Sequence, residues 1–110
     1  MKDSLGSLEL ATLLAVARLG DDAYGLAVRR DVAAQAAHDY SVGAIYTTLQ
    51  RLEDKGLIAS HHSDPLPVRG GRSRRHFRVT AAGRKAIQLA QRRATAAWAG
   101  VESALRPRPT

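Results

Sequence analysis

A chain of 110 residues with an apolar share of 45% has the size of one small globular domain and is too apolar for wholesale disorder. The absence of cysteine excludes a disulfide framework and a thiolate metal site, and it agrees with a reducing cytoplasm. The N-terminal apolar stretch is broken by Glu9, ends at Arg18 and lacks a small-residue cleavage site. We therefore expect no signal peptide and no membrane span.

The charge is high and unevenly distributed. The formal net charge is +7, and no Asp or Glu lies between Asp64 and Glu102, an interval that holds nine arginine and lysine residues. Such a surface indicates a polyanionic partner, which is most often a nucleic acid and less often an anionic membrane. A surface that is basic only for solubility is the alternative.

The first two segments each predict a helix. In "SLELATLLAVARLG" apolar residues recur at helical spacing, with Ser7 as N-cap and Gly20 as C-terminal stop. The apolar positions of this helix are Leu10, Leu13, Leu14, Ala17 and, at the edge of the face, Val16. In "DDAYGLAVRRDVAAQA" Asp21 or Asp22 is the predicted N-cap of a second helix. Its apolar positions are Leu26, Val28 and Val32.

The third segment, "SVGAIYTTLQRLEDKG", has the clearest helical pattern. Ser41 is the predicted N-cap, and Gly56 is the predicted C-terminal stop. Apolar side chains at i, i+4 and i+7 form a stripe toward the core: Ile45, Leu49 and Leu52. The opposite face is small and hydrogen-bonding, which suits close approach to a groove in DNA. Its members are Gly43, Ala44, Thr47, Gln50 and Arg51, with Tyr46 at the boundary.

The pattern then changes from helix to strand. "LIASHHS", Leu57 to Ser63, predicts a short strand. "RRHFRVT" predicts a second strand, with Phe77 and Val79 inward and His76 and Arg78 outward. The segment between them, "DPLPVRGGRS", is rich in proline and glycine and predicts a long loop at the tip of a hairpin.

A long final helix is predicted over residues 81–105, with Thr80 as its cap. Its apolar seam repeats every three or four residues: Ile87, Ala90, Ala94, Ala97, Trp98, Val101 and Leu105. Because so long a helix on so small a core needs a partner surface, we expect the seam to form a homodimer together with Leu10 and Leu14. Packing back onto its own domain is the alternative. The prolines of "RPRPT" end the helix and predict a flexible tail over 106–110.

The order of these elements is that of a winged helix-turn-helix. The predicted fold class is therefore mainly α with a small β-hairpin: a winged helix-turn-helix DNA-binding domain over residues 1–80, followed by a long dimerisation helix over residues 81–105. In this arrangement the third helix enters a major groove. The hairpin beside it, the wing, places arginines against phosphates or in the adjacent minor groove.

Three stretches resemble the PadR family of bacterial transcriptional regulators, in its short form with a single dimerisation helix. They are "SVGAIYTTLQRLEDKGLI", "GGRSRRHFRVT" and the "TAAG" that opens the last helix. The resemblance departs from the family pattern at three places. "YGL", which begins at Tyr24, replaces His-Gly-Tyr, Thr47 replaces a proline, and His76 with Phe77 replaces a pair of aromatic residues.

The resemblance implies a homodimeric repressor that binds a roughly palindromic operator, often near its own gene. It also implies release of DNA when an effector binds or the dimer changes shape. A winged-helix module that binds protein or RNA, with its third helix buried in that contact, is the alternative function.

We expect Thr47, Gln50 and Arg51 to read the base sequence, because no apolar neighbour on their face buries them; a merely solvated face is the alternative. Tyr46 either packs against the hairpin or donates a hydrogen bond to a phosphate. Ser41 caps its helix and is also placed to contact a phosphate. The full predicted DNA-binding set is Ser41, Gly43, Ala44, Tyr46, Thr47, Gln50, Arg51 and the wing residues Arg69, Arg72, Arg74 and Arg75.

No catalytic constellation is present in the sequence, so we predict a protein that is not an enzyme and has no cofactor. His61 and His62 are adjacent in a strand and point to opposite faces, so no metal site is predicted. Trp98 is predicted to pack between two subunits, or to hold a planar apolar effector there.

Overall fold

The computed structural model describes residues 5–62 and 74–108 as five helices and a two-stranded hairpin. The elements are α1 (Ser7–Leu19), α2 (Gly25–Ala36), α3 (Val42–Asp54), β1 (Ile58–His62), β2 (Arg75–Val79), α4 (Ala81–Trp98) and α5 (Val101–Leu105). A 3-10 turn, Gly20–Asp22, joins α1 to α2. The predicted class, mainly α with a small β-hairpin and a long C-terminal helix, is confirmed. The predicted wing loop, including Arg69 and Arg72, lies outside the described residues.

The core lies between α1, α2, α3 and the hairpin. Its largest fully buried side chains come from all of these elements: Thr12, Leu13, Val16, Val28, Val32, Ile45, Leu49, Leu52, Ile58 and Phe77. Burial of apolar surface stabilises the fold by about 25 cal/mol for each Å², and here every element contributes buried side chains. The apolar stripe predicted for α3 points into this core, as expected.

The buried face of α1 differs from the prediction. Ala15 and Val16 are buried, whereas Leu10 and Leu14 are half-buried and Ala17 is exposed. Apolar residues surround α1 on most sides, so their spacing alone does not select one face. The contacts with α2 and α3 decide its orientation, and they leave Leu10 and Leu14 toward α4.

Two predicted helix caps are confirmed and two are wrong. The hydroxyl of Ser41 accepts a hydrogen bond from the Ala44 amide at 3.1 Å, and that of Thr80 accepts one from the Gly83 amide at 3.0 Å. Ser7 is instead the first residue of α1, which has Gly6 as N-cap, and the carboxylate of Glu9 accepts from the Gly6 amide at 3.1 Å. The cap predicted at Asp21 or Asp22 is wrong for α2, because both residues lie in the 3-10 turn and Tyr24 takes the N-cap position.

The hairpin is attached to the helical body along its length. Its two strands pair antiparallel from Ile58 opposite Val79 to His62 opposite Arg75. Phe77 is buried, and its backbone amide donates to the carbonyl of Ala23 at 2.8 Å, which fastens β2 to the start of α2. The strands are thus a third layer over α1 and α3 and not a detached arm.

The C-terminal helix projects away from this body. The radius of gyration is 17.5 Å, against about 13 Å for a compact chain of this length. The continuous helix predicted to residue 105 has a break, because Gly100 adopts a left-handed conformation with φ 79°. Consequently α4 ends at Trp98, and the short helix α5 follows it.

The start of α4 is pressed against the turn that follows α3. Thr80 donates from its hydroxyl to the carbonyl of Gly56 at 2.6 Å, and its backbone amide donates to the carbonyl of Leu57 at 3.0 Å. A Cβ on Gly83 would lie 2.0 Å from the oxygen of Leu57 and 2.7 Å from a methyl carbon of Val79. Only a glycine allows this approach.

Substitution of Gly83 by alanine should therefore destabilise the protein by about 1–3 kcal/mol, since the clash involves backbone that cannot move away. Gly43→Ala is the matched control: a Cβ there meets nothing within 4 Å, and stability should be unchanged or slightly higher. Urea unfolding followed by circular dichroism at a fixed protein concentration measures both. Equal stability of the two variants would contradict the packing described for α4.

An ion pair ties the end of α3 to the start of α1. Lys55 Nζ lies 2.7 Å from Glu9 Oε2, with the Glu9 side chain largely buried and the Lys55 side chain about one-third exposed. The hydrogen bond from Lys55 lowers the pKa of Glu9 below its ordinary value of 4.5. Burial acts in the opposite direction, and the Gly6 amide and the charges of Lys55 and Arg51 add to the lowering. This pair links the residue that caps α3 to the first turn of α1 and adds modestly to the packing of the two helices.

Because the folded-state pKa of Glu9 lies below 4.5, the pair should stabilise the fold above about pH 4.5 and lose this contribution as the pH falls through the folded pKa. We expect Lys55→Met to lower the free energy of unfolding by up to about 1 kcal/mol at pH 7, and the difference from wild type to vanish in strong acid. Urea titrations between pH 2.5 and 7 measure this. A difference that is independent of pH would exclude the ion pair as its cause.

Candidate nucleic-acid interface

Helix α3 presents one buried face and one exposed face. Ile45, Leu49 and Leu52 are at most 1% exposed. On the opposite side Gly43, Tyr46, Thr47, Gln50 and Arg51 are exposed, and Ala44 is half-buried. The structure thus brings the α3 residues that were predicted to contact DNA together on one face of the helix.

The N-terminal turn of α3 is shaped for close approach to an anion. Ser41 occupies the N-cap, and the exposed Gly43 adds no side chain beside it. The N-terminus of a helix carries a partial positive charge and presents backbone amides outward. A phosphate is therefore a suitable ligand for this turn.

Tyr46 packs against the first turn of α2. A Cβ on Gly25 would lie 2.1 Å from the hydroxyl oxygen of Tyr46, so the phenol ring covers the first turn of α2. Tyr46 is still 44% exposed. It therefore forms part of the contact between the two helices of the helix-turn-helix while its surface remains accessible to a ligand.

Gln50 has a local partner on the exposed face. Its Nε2 donates to Asp54 Oδ1 at 2.9 Å, one helical turn further along. Hydrogen bonds of this exposed i, i+4 type contribute only a few tenths of a kcal/mol in water. So weak a bond can be exchanged for another hydrogen-bonding partner at small cost.

The two described arginines at the base of the wing both have intramolecular contacts. The guanidinium of Arg74 lies 4.6 Å from the centre of the Tyr24 ring. Arg75 Nη2 lies 2.5 Å from Glu53 Oε1, and its guanidinium covers the ring of Phe77 at 5.0 Å. Sequence patterns did not indicate the pair of Arg75 with Glu53, because 22 residues separate the two.

A stack of rings lies on the outer face of the hairpin. His61 and His76 are directly opposite in the strand register, and their rings stack with centres 5.5 Å apart. His76 Nδ1 is 3.1 Å from the carbonyl oxygen of Asp21, and the His76 ring meets Tyr24 edge-on at 5.9 Å. Within residues 5–62 and 74–108, no group of three or more potential metal ligands is found.

An apolar groove of about 430 Å³ runs between α1 and α4. Five of the predicted dimerisation residues line it: Leu10, Leu14, Ile87, Ala90 and Ala94. Gln91, which the sequence did not indicate, lines it as well. Further along the C-terminal segment, Val101 is half-buried, whereas Trp98 is 70% and Leu105 76% exposed. The only sequence feature that could have placed Gln91 in this groove is its spacing of four residues, about one helical turn, from Ile87.

None of the helices in the described part of the chain is long and apolar enough to cross a membrane. The exposed face of α3, the basic hairpin beside it and the helical order define a winged helix-turn-helix of the DNA-binding kind. The chain belongs to the Transcriptional regulator PadR-like family, whose sequence pattern matches residues 13–89. It is accordingly a DNA-binding transcription regulator and, as predicted, not an enzyme.

Solved structures of PadR-family regulators share this fold. The PadR-like regulator of Bacillus cereus strain ATCC 14579 is 19% identical with a TM-score of 0.72, over 92% of this chain and 93% of that one. The regulator of Clostridium difficile R20291 is 20% identical with a TM-score of 0.68, over 91% and 95% of the two chains. That of Eggerthella lenta DSM 2243 is 24% identical with a TM-score of 0.65, over 92% and 89%. No curated protein sequence matches the chain.

Proposed function

We propose that the protein is a homodimeric repressor that inserts α3 into the major groove of a palindromic operator. The observation that carries this proposal is the division of α3 into a core face and an exposed, small, hydrogen-bonding face. A helix of this kind fits the major groove, which is about 12 Å wide. The basic hairpin beside α3 supports the same placement.

In this proposal the residues of α3 divide into two groups. Ser41, Gly43, Ala44 and Tyr46 lie toward the N-terminal end of the helix and contact the phosphate backbone. Thr47, Gln50 and Arg51 reach base edges: the amide of Gln50 matches adenine and the guanidinium of Arg51 matches guanine. The wing residues Arg69, Arg72 and Arg74 supply positive charge for phosphates and strengthen binding to any DNA sequence. Arg75, for which the same role is predicted from the sequence, is instead paired with Glu53.

The dimer is proposed to form through α4 and the groove beside α1. Trp98 and Leu105 are large apolar side chains that are mostly exposed, and an exposed tryptophan beside other apolar residues is typical of a protein–protein contact. A second copy would cover them, and the groove lined by Leu10, Leu14 and Ile87 gives such a copy a place to pack. Two copies of α3 then read two half-sites of a palindrome, about one helical turn of DNA apart.

Release of the operator is proposed to follow binding of an effector near Trp98. The exposed indole lies in the proposed seam between subunits, where a planar apolar molecule would stack on it. Binding there would change the relative position of the two subunits and so the spacing of the two α3 helices. A cytoplasmic location is part of the same proposal, and a chain without cysteine suits a reducing compartment.

The proposal predicts a protected site in the promoter region of the protein's own gene. Thr47→Ala and Gln50→Ala should each weaken binding to this site by about 1–3 kcal/mol, with little effect on scrambled DNA, because they remove base contacts. Gln88→Ala on α4, which also removes one exposed amide, is the matched control. Footprinting and fluorescence anisotropy at physiological salt measure these effects. Equal affinity of the wild type for scrambled DNA would refute an operator-binding repressor and favour an RNA- or protein-binding module.

Trp98→Ala should raise the dissociation constant of the dimer by at least about 10-fold, because it removes a large apolar anchor from the seam. Leu89→Ala is the control, since Leu89 is also exposed on α4 but lies on the side away from the seam. Sedimentation velocity across a dilution series measures both. A Trp98→Ala dimer as tight as the wild type would place the interface elsewhere.

A further inference from the structure

The carboxylate of Glu53 joins three elements of the fold. Glu53 lies in the last turn of α3. Ser60 of β1 donates its hydroxyl proton to Glu53 at 2.8 and 3.1 Å, and Arg75 of β2 donates from Nη2 at 2.5 Å. One side chain of the proposed DNA-reading helix therefore holds both strands of the wing.

These contacts are sheltered from solvent without being buried. The side chains of Glu53 and Arg75 are 29% and 35% exposed, and Arg75 also covers the ring of Phe77. Charge-assisted hydrogen bonds of this kind are shorter and stronger than neutral ones. The ring below Arg75 limits its motion, so the pair has a defined geometry.

Glu53 lies close to the surface proposed to meet DNA. It follows Gln50 by three residues, about one helical turn, at the edge of that surface, where a carboxylate would repel phosphates. The charge of Arg75 compensates that of Glu53. The guanidinium of Arg75 therefore already has a partner within the protein.

We propose that Glu53 is a positioning residue that sets the distance and angle between α3 and the wing, and that Arg75 acts through Glu53 and not on a phosphate. The inference rests on the proposed function, in which α3 and the wing bind the same DNA. A wing held in place before binding loses less conformational entropy on binding, and this strengthens the complex.

The variants Glu53→Gln, Arg75→Gln and the double variant test this inference on the full-length protein. Asp54→Asn is the matched control, because it removes the same negative charge from the neighbouring residue of α3 and keeps a side-chain oxygen that can accept the hydrogen bond from Gln50. Arg74→Gln serves as the comparison for an arginine proposed to contact phosphate directly.

We expect Glu53→Gln and Arg75→Gln each to weaken operator binding by about 3- to 10-fold, and the double variant to be no weaker than the single ones. Their salt dependence should equal that of the wild type, whereas Arg74→Gln should reduce the slope of log affinity against log salt by about 1. Asp54→Asn should bind as well as the wild type or better. A reduced slope for Arg75→Gln, or binding by Glu53→Gln as strong as by Asp54→Asn, would overturn the inference.

Amide hydrogen exchange in the DNA-free protein separates this inference from the proposed function. Exchange in the strands, at Ser60 to His62 and Arg75 to Phe77, should be faster in Glu53→Gln and Arg75→Gln but unchanged in Asp54→Asn, with core amides of α1 unaffected. The charge-swapped variant Glu53→Arg with Arg75→Glu should restore protection. Unchanged exchange in Glu53→Gln would overturn the positioning role. Failure of the proposed function has a different result: the wild-type protein would protect no site in footprinting.

Discussion

Burial of Ile45, Leu49 and Leu52 determines which side of α3 meets solvent, and the arrangement of the interface follows from it. These three side chains pack against α1, α2 and the hairpin, so α3 cannot rotate without exposing them, at a cost of several kcal/mol. The opposite face, with Thr47, Gln50 and Arg51, is thereby held outward. The same packing brings the hairpin alongside α3, so the core of a small domain fixes both surfaces proposed to meet DNA.

The wing is held in place by a series of weaker contacts at its base. The backbone bond from Phe77 to Ala23 fastens it to the turn before α2, and the carboxylate of Glu53 fastens it to α3. At the other end of β2, Thr80 and Gly83 press the start of α4 against the turn at Leu57. These contacts connect α4 to the base of the wing, so they are where the proposed rearrangement of the dimer would act on the DNA-binding surface.

The parts of the fold that sequence predicts well are those with one dominant local signal. In α3 the apolar stripe coincides with a serine cap, and at Thr80 a capping hydroxyl precedes a run of helix formers. In α1 apolar residues lie on most sides, so tertiary contacts select the buried face. The two aspartates before α2 favour a cap, yet they lie in the 3-10 turn and Tyr24 occupies the cap position.

The contacts that shape the site are harder to predict because they join residues far apart in sequence. Neither the pair of Glu53 with Arg75 nor the close approach of Gly83 to Leu57 has a local pattern, and both depend on how the hairpin folds back on α3. The glycine at position 100, which breaks the final helix, is one of several in the chain, and nothing nearby distinguishes it as a break. The exposed face of α3 was predicted only because its opposite face is so regular.

A backbone-amide NMR titration of the protein with its operator DNA would test the central claim most directly. We predict that the largest chemical-shift changes fall on the exposed face of α3, at Gly43, Thr47, Gln50 and Arg51, with smaller changes in the strands of the wing and little change along the second half of α4. Changes concentrated on α4, with α3 unaffected, would contradict the claim that α3 is the DNA-reading helix.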